Sequence, residues 1–484
     1  MLAKRVFRNV VYNSSSVLIA NVVGVVVTIY VARALKPELF GIYSLALSIA
    51  FLLLTFTDLG INATLVRYVA HAHGLKDYEL VRGYIRGLSK LKVLLVFLVS
   101  TTLFASSDVL STYVFHKPLL SDPLKVTSLF ILFFSLSGFL NAIFNAFNDF
   151  KANLIKSAVY EFSRLFFIIL FVSAGLSVIG ALLGFAIASS LALIVLLVSL
   201  LKKYGNLVFG RAKPIDWRRI VRFTSYLTIG SITWVVFAYV DSVMIGMFLP
   251  AEDVGYYRAS YNIVGAISGL VSIPTVMFPV FVQLEGRDLR NAFNRAFKYS
   301  AILSFPVVFG LISLGEQLIK FVYGADYLPA VPVLYVLSFL ILRSALGFWG
   351  VIFNAKEKPE YPVYVSFFAM ILNIVLNYFM ILRWGIVGAG IATVVSNLFS
   401  WITLAYLSKV MFNVFPKVEH LVKPIVSSLI MFYIISQFKL SNLIEGVSVV
   451  LLGAMVYFGV LFLIKGMTID DLRYLRTILG LERD

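Results

Sequence analysis

Residues 32–60 read ARALKPELFGIYSLALSIAFLLLTFTDLG. Arg33 closes one long apolar run, and Asp58 lies near the end of the next. An ionised side chain is costly at either place if the runs lie in lipid. Pro37 stands between them, with a fixed φ and no N–H, and with Gly41 it is expected to bracket the turn into the second run. The flanking apolar runs, 10–32 and 41–66, each exceed the roughly 20 residues that cross a bilayer. How often this pattern recurs decides the fold.

It recurs along the whole chain. Of 484 residues, 60% are hydrophobic and 13% charged, and the mean hydropathy is +0.94. Soluble domains are about half apolar and a quarter charged. Fourteen stretches qualify as membrane helices: 10–32, 41–66, 88–107, 123–147, 154–174, 178–201, 221–249, 254–282, 298–319, 330–354, 361–382, 386–408, 422–438 and 443–464. The gaps between them leave no room for a soluble catalytic domain. The basic, then apolar N-terminus lacks a small-residue cleavage site and reads as the first span, not a signal peptide. There are no cysteines and only four scattered histidines, so thiolate sites are excluded and no metal site is expected.

The formal charge is +17, from 41 Lys and Arg against 24 Asp and Glu. In a soluble chain that would suggest nucleic acid; here it reads as membrane topology. With fourteen spans, the loops on one side hold 31 basic residues and those on the other hold eight. Both termini are therefore expected in the cytoplasm. Loop 67–92, with six cations, and linker 202–222, with seven, dominate the count. The linker reads as lying on an anionic membrane surface. The tail begins with a capping box, Thr468 to Asp471, and continues with Ile469, Leu472, Leu475, Ile478 and Leu479 on one face.

The chain also repeats itself. SGFLNAIFNAFNDF (137–150) aligns with LGFWGVIFNAKEKP (346–359) at an offset of 209, with Phe144/Phe353, Asn145/Asn354 and Ala146/Ala355 among the identities. VIGALLG (178–184) matches IVGAGIA (386–392) at 208, and Gly41/Gly255 and Tyr43/Tyr257 are paired at 214. The expected architecture is all-α and polytopic, with two six-helix lobes related by a parallel repeat plus two appended helices. The divisions are an N-terminal lobe at 1–201, a basic linker at 202–222, a C-terminal lobe at 223–410, the appended pair at 411–465 and a cytoplasmic amphipathic tail at 466–484. Parallel repeats of this kind build transporters around a central site.

Ionisable residues inside spans point to function by default. Glu161 and Arg164 share a helical face at i and i+3. Asp241 falls in span 7 and Arg343 near the middle of span 10. Arg67 marks the inner end of span 2, with Arg33 and Arg258 at outer ends. Snorkelling to headgroups and internal ion pairing are the plain alternatives. Pro274, Pro279, Pro306 and Gly60 are kink candidates.

Ala32, Arg33, Leu35, Pro37, Phe40, Gly41, Tyr43, Asp58, Leu59, Gly60, Arg67 and Tyr68, with VGYYRASY at 254–261, give the chain a resemblance to the polysaccharide-transport family. These are the lipid-linked oligosaccharide (O-unit) flippases of the multidrug/oligosaccharidyl-lipid/polysaccharide superfamily. Two departures stand out: Lys36 where that family usually has Gly, and Arg258 where a small residue is usual. The resemblance implies an alternating-access transporter, not an enzyme. Its substrate would be an oligosaccharide on a polyprenyl or dolichyl (di)phosphate, exported for surface polysaccharide or glycoconjugate synthesis. Arginine binds phosphate oxygens bidentately, so Arg33, Arg67, Arg164, Arg258 and Arg343 are the substrate-binding candidates. Asp58, Glu161 and Asp241 are candidates for gating, or for coupling to H⁺ or Na⁺. No other cofactor is implied. The expected setting is the plasma membrane of a prokaryote, beside glycosyltransferases or a polymerase of the same pathway. The alternative is a cation-coupled multidrug exporter of the same superfamily. That relative places a carboxylate in span 1, where this chain offers only Asn, Ser and Thr.

Overall fold

The structure is a computed structural model, and it describes residues 2–208, 210–270, 277–438, 443–469 and 471. Every element among them is helical. Among the described residues nine helical stretches are long and apolar enough to cross a membrane, and the chain is a multi-pass membrane protein. Two of the stretches contain very long helices broken by one non-helical residue. Helix α1, Leu2–Asp58, breaks at Lys36, immediately before Pro37. Helix α14, Glu360–Phe412, breaks at Gly385.

Contacts divide the chain into two compact units, one of Met1–Arg258 with Ile374–Ala389 and the other of Ala259–Asn373 with Gly390–Asp484. In the first unit α1 is followed by α2 (Ile61–Gly74), α3 (Tyr78–Val109), α4 (Ser121–Ala146), α5 (Phe150–Ser173), α6 (Ser177–Val208) and α7 (Trp217–Phe248). Helix α8 (Ala251–Leu270) begins there and ends in the second unit. The second unit holds α9 (Phe278–Gln283), α10 (Gly286–Val322), α11 (Val331–Leu337), α12 (Arg343–Leu346), α13 (Phe348–Ala355), the two ends of α14, α15 (Glu419–Ile435) and α16 (Leu443–Leu463).

Helix ends follow local chemistry. The α1–α2 junction is a left-handed turn at Leu59 and Gly60, with φ 43° and 77°. The Asp58 carboxylate accepts from the Asn62 N–H there, as an N-terminal cap does. The two copies of the repeat end alike. Helix α4 stops at Ala146 and α13 at Ala355. In each a positive φ of 56° follows, at Asn148 and Glu357. The Asp149 N–H returns to Phe144 and the Lys358 N–H to Phe353, each at 2.9 Å. This is the six-to-one closure that satisfies orphan carbonyls at a helix C-terminus.

Some sequence expectations need correction. Span 10 is not one continuous helix. A 3₁₀ turn at 325–330 leads into α11, and a second at 338–342 separates α11 from α12. Pro306, a kink candidate, lies inside α10, which runs from Gly286 to Val322. Pro279 is the second residue of the short α9, while Pro274 lies outside the described residues. Linker residues 202–208 extend α6, and the Lys213 N–H donates to the Glu79 carbonyl of α3. That strap lies so close that side chains at Gly83 or Gly87 would overlap the Lys213 backbone or Ile215. In the tail, the Thr468 N–H donates to Asp471 at 2.8 Å and the Asp471 N–H returns to Thr468 Oγ1 at 3.4 Å, which is the reciprocal pattern of a capping box. Leu472, Leu475, Ile478 and Leu479 lie outside the described residues.

Candidate functional site

The charged residues of the helices fall into small groups, most of them in the first unit. On α5, Arg164 Nη2 lies 2.5 Å from Glu161 Oε2, and both side chains are about nine-tenths buried. The guanidinium stands 5.0 Å from the Phe185 ring centre and 5.4 Å from that of Tyr160. Lys156 lies 5.3 Å from the Phe134 ring and 5.8 Å from that of Tyr160. The expected i, i+3 pair is present, and a second cation joins it through a shared aromatic wall.

Asp58 has a partner that sequence reasoning placed elsewhere. Lys92 belongs to the loop 67–92 cation count, but it lies within α3 and its side chain is 1% exposed. Its amine donates to Asp58 Oδ1 at 3.0 Å. The turn between α1 and α2 is stitched further: Thr228 Oγ1 of α7 donates to the Leu59 carbonyl at 2.7 Å, and the Thr57 and Ser135 hydroxyls meet at 2.6 Å. Only the position of Lys92, four residues inside span 3, signalled that it might leave the surface.

Asp241 is buried at 3% exposure. Tyr257 Oη donates to its Oδ2 at 2.5 Å and Asn377 Nδ2 to its Oδ1 at 2.6 Å. These two donors come from residues 16 and 136 positions away. Near it in sequence, Arg258 Nη1 donates to the Ala238 carbonyl at 3.2 Å and its guanidinium stands 5.1 Å from the Tyr239 ring. Tyr239 in turn stacks on Phe51, with centroids 5.0 Å apart.

Arg33 is exposed, three residues before the break in α1. Arg67 is exposed and stands 4.3 Å from the centre of the Phe223 ring. Arg343, in the second unit, is exposed at the start of α12.

A cavity of about 450 Å³ in the first unit is lined by Glu38, His116, Lys117, Met247 and Pro250, among others. Lys117 looks like an anion ligand there, but its amine donates to the carbonyls of Phe115, Gly246 and Leu249 at 3.1, 2.6 and 2.8 Å. An ammonium has three donors, so Lys117 is fully engaged in closing the C-terminal end of α7, where a cation also suits the helix dipole. Among the described residues no cluster of three His, Asp or Glu could hold a metal ion.

Outside the membrane helices, burial raises the Asp471 carboxyl, but donation from Lys298, Thr468 and Tyr299 outweighs it and holds its pKa at about 2. His420 is pushed below the ordinary histidine value by burial.

Comparison with known proteins places this arrangement. The chain is 26% identical over 251 residues to "Probable low-salt glycan biosynthesis flippase Agl15" of Haloferax volcanii, covering 50% of this chain and 52% of that one. The chain thus spans about half the length of that relative. It is 23% identical over 424 residues to the lipopolysaccharide biosynthesis protein WzxC of Escherichia coli, covering 85% and 80%. Among solved structures, the lipid II flippase MurJ in an inward closed conformation matches with a TM-score of 0.75 at 19% identity, over 93% of this chain and 98% of that one. That likeness gives the fold. The profile of the family described as "Polysaccharide biosynthesis protein" matches residues 6–285, more than half of the chain, and the chain belongs to that family.

Proposed function

We propose that this protein is a flippase that carries a polyprenyl- or dolichyl-(di)phosphate-linked oligosaccharide from the cytoplasmic to the outer leaflet by alternating access. The observation that carries this reading is the charge placed within or at the ends of apolar helices in a chain of this family. Five candidate arginines face three candidate carboxylates, and Lys92 and Lys156 add two further cations at helix positions. Such a balance suits an anionic headgroup, which lipid alone cannot solvate. The reading includes fourteen crossings with both termini in the cytoplasm of a prokaryotic cell, and the lobe divisions at 1–201 and 223–410. It includes no catalytic role, and it puts the protein beside the glycosyltransferases or polymerase of one pathway. The names of the relatives, two of them called flippases, support it.

Asp241, a buried carboxylate that accepts from Tyr257 and Asn377, is a candidate for coupling to H⁺ or Na⁺, as are Asp58 and Glu161, each beside a cation. No observation favours the drug-exporter reading: stretch 10–32 contains no carboxylate.

Deletion of the gene in its native host tests the proposal. The sugar-lipid should accumulate in membranes while surface glycan falls. Normal surface glycan with no accumulated intermediate would contradict it.

A further inference from the structure

The cations at the linker end of the first unit divide into two sets. One set is committed to structure. Arg82 donates to the Asn206 carbonyl at 3.0 Å and the Arg211 carbonyl at 3.3 Å, and Arg86 to that of Gly210 at 2.9 Å. Lys213 pairs with Asp77 at 2.9 Å and Lys203 with Asp149 at 2.5 Å. These groups strap the linker to α3 and close helix ends.

Arg67 and Arg219 are different. Both are exposed. Neither guanidinium has a carboxylate or carbonyl partner among the described residues. Each instead lies over an aromatic ring: Arg67 over Phe223 at 4.3 Å and Arg219 over Tyr68 at 5.6 Å. The two rings belong to one cluster. Tyr68 and Phe223 meet edge to face at 5.8 Å, and Tyr84 packs on Tyr68 at 5.2 Å. Arg222, exposed and one turn beyond Arg219, adds a third cation on α7.

This geometry suits anion capture. Stacking on an aromatic face holds a guanidinium in place through its π surface. The in-plane N–H donors stay available, and they match two phosphate oxygens at once. A preset pair of such groups spends less side-chain entropy on binding than free surface lysines would.

We propose that Arg67 and Arg219, backed by Tyr68 and Phe223, form the docking site for the diphosphate group of the isoprenoid-linked substrate before it enters the transport path. This rests on the flippase reading and adds to it a site of first contact. The position of Arg67 at the end of span 2, and of Arg219 in the second residue pair of α7, puts the site at the loop-rich, cation-rich end of the helices. There a diphosphate riding on a membrane-embedded isoprenoid would be held at headgroup level.

The test is equilibrium binding of farnesyl diphosphate to the full-length protein in phosphatidylcholine nanodiscs, read by tryptophan fluorescence. Arg67→Ala and Arg219→Ala should each weaken binding about tenfold, as loss of a charge-assisted bidentate contact does. Arg67→Lys should restore only part of it. Arg86→Ala, which removes a strap contact, should leave affinity unchanged. An unaltered affinity in Arg67→Ala/Arg219→Ala protein that still elutes as a single folded species would overturn the site. Displacement of the probe by an equal concentration of phosphatidylglycerol would mark a general anionic-lipid anchor and also overturn it. Tight binding by a wild-type protein that moves no sugar-lipid would contradict the flippase reading while leaving the site standing.

Discussion

Gly41 and Gly255 face each other's hairpins reciprocally. A Cβ on Gly41 would stand 3.2 Å from the Gly255 nitrogen, and one on Gly255 would stand 3.3 Å from the Gly41 nitrogen. Each added methyl would also overlap a carbonyl, that of Ala251 for Gly41 and that of Pro37 for Gly255. Pro37 and Ala251 are 214 residues apart, as are Gly41 and Gly255. The same surface from each copy of the repeat therefore packs on its equivalent, which is the signature of a two-fold contact.

Gly41→Ala and Gly255→Ala should each lower stability by about 1–3 kcal/mol, because the obstructing atoms are backbone and cannot rotate away. Gly265→Ala, where the added methyl meets open space, should not. Thermal unfolding in detergent measures all three. A neutral effect of Gly41→Ala would mean the two hairpins separate at no cost.

The Asp58–Lys92 pair predicts an asymmetry. Asp58→Ala strands an ammonium that is 1% exposed, whereas Lys92→Met leaves a carboxylate that is 32% exposed and still holds the Asn62 N–H. Loss of one partner of a buried pair costs about 3–5 kcal/mol, so Asp58→Ala should approach that range and Lys92→Met should fall well below it. Chemical denaturation of both variants decides; equal losses would contradict the burial difference.

Lys36 adopts φ 63°, ψ 169°, a region open essentially to glycine and costing other residues about 1–3 kcal/mol. Lys36→Gly should raise the unfolding midpoint, while Lys36→Ala, with the same backbone restriction, should not. A lower midpoint in Lys36→Gly would show that the lysine side chain outweighs the strain.

Asp471 provides the pH dependence. Its folded pKa, about 2, lies below the ordinary aspartate value of 3.8. A depressed carboxyl contributes stability above its unfolded pKa and loses it as pH falls through the folded value. The contribution should thus be complete at pH 5 and fade from about pH 4 to pH 2. Asp471→Asn should be less stable than wild type at pH 6, with the difference vanishing near pH 2. A difference constant across that range would contradict the ion pair with Lys298.

The helical class and an interruption near Pro37 were legible in residues 32–60 because proline restricts the backbone locally, whereas Gly60, a kink candidate inside 41–66, lies in the left-handed turn that ends α1. The capping box of Thr468 and Asp471 was legible as another local signal. Partners distant in sequence were not. Nothing near Asp241 indicates Tyr257 or Asn377, and Lys92 reads as one more loop cation until packing buries it. The break before Arg343 was also hidden, since SFLIL at 338–342 is as apolar as any membrane helix. The relation between Gly41 and Gly255 lay in the repeat, but sequence identity there did not reveal that the two copies touch.

The central claim is transbilayer movement of a lipid-linked sugar. The direct measurement is reconstitution into liposomes carrying a fluorescent polyprenyl-diphosphate oligosaccharide, followed by a membrane-impermeant quencher added outside. Wild-type protein should make the inner-leaflet pool reachable far faster than empty liposomes do, and Arg343→Ala, at equal incorporation, should be slower than wild type. A wild-type rate no faster than that of empty liposomes would contradict the account.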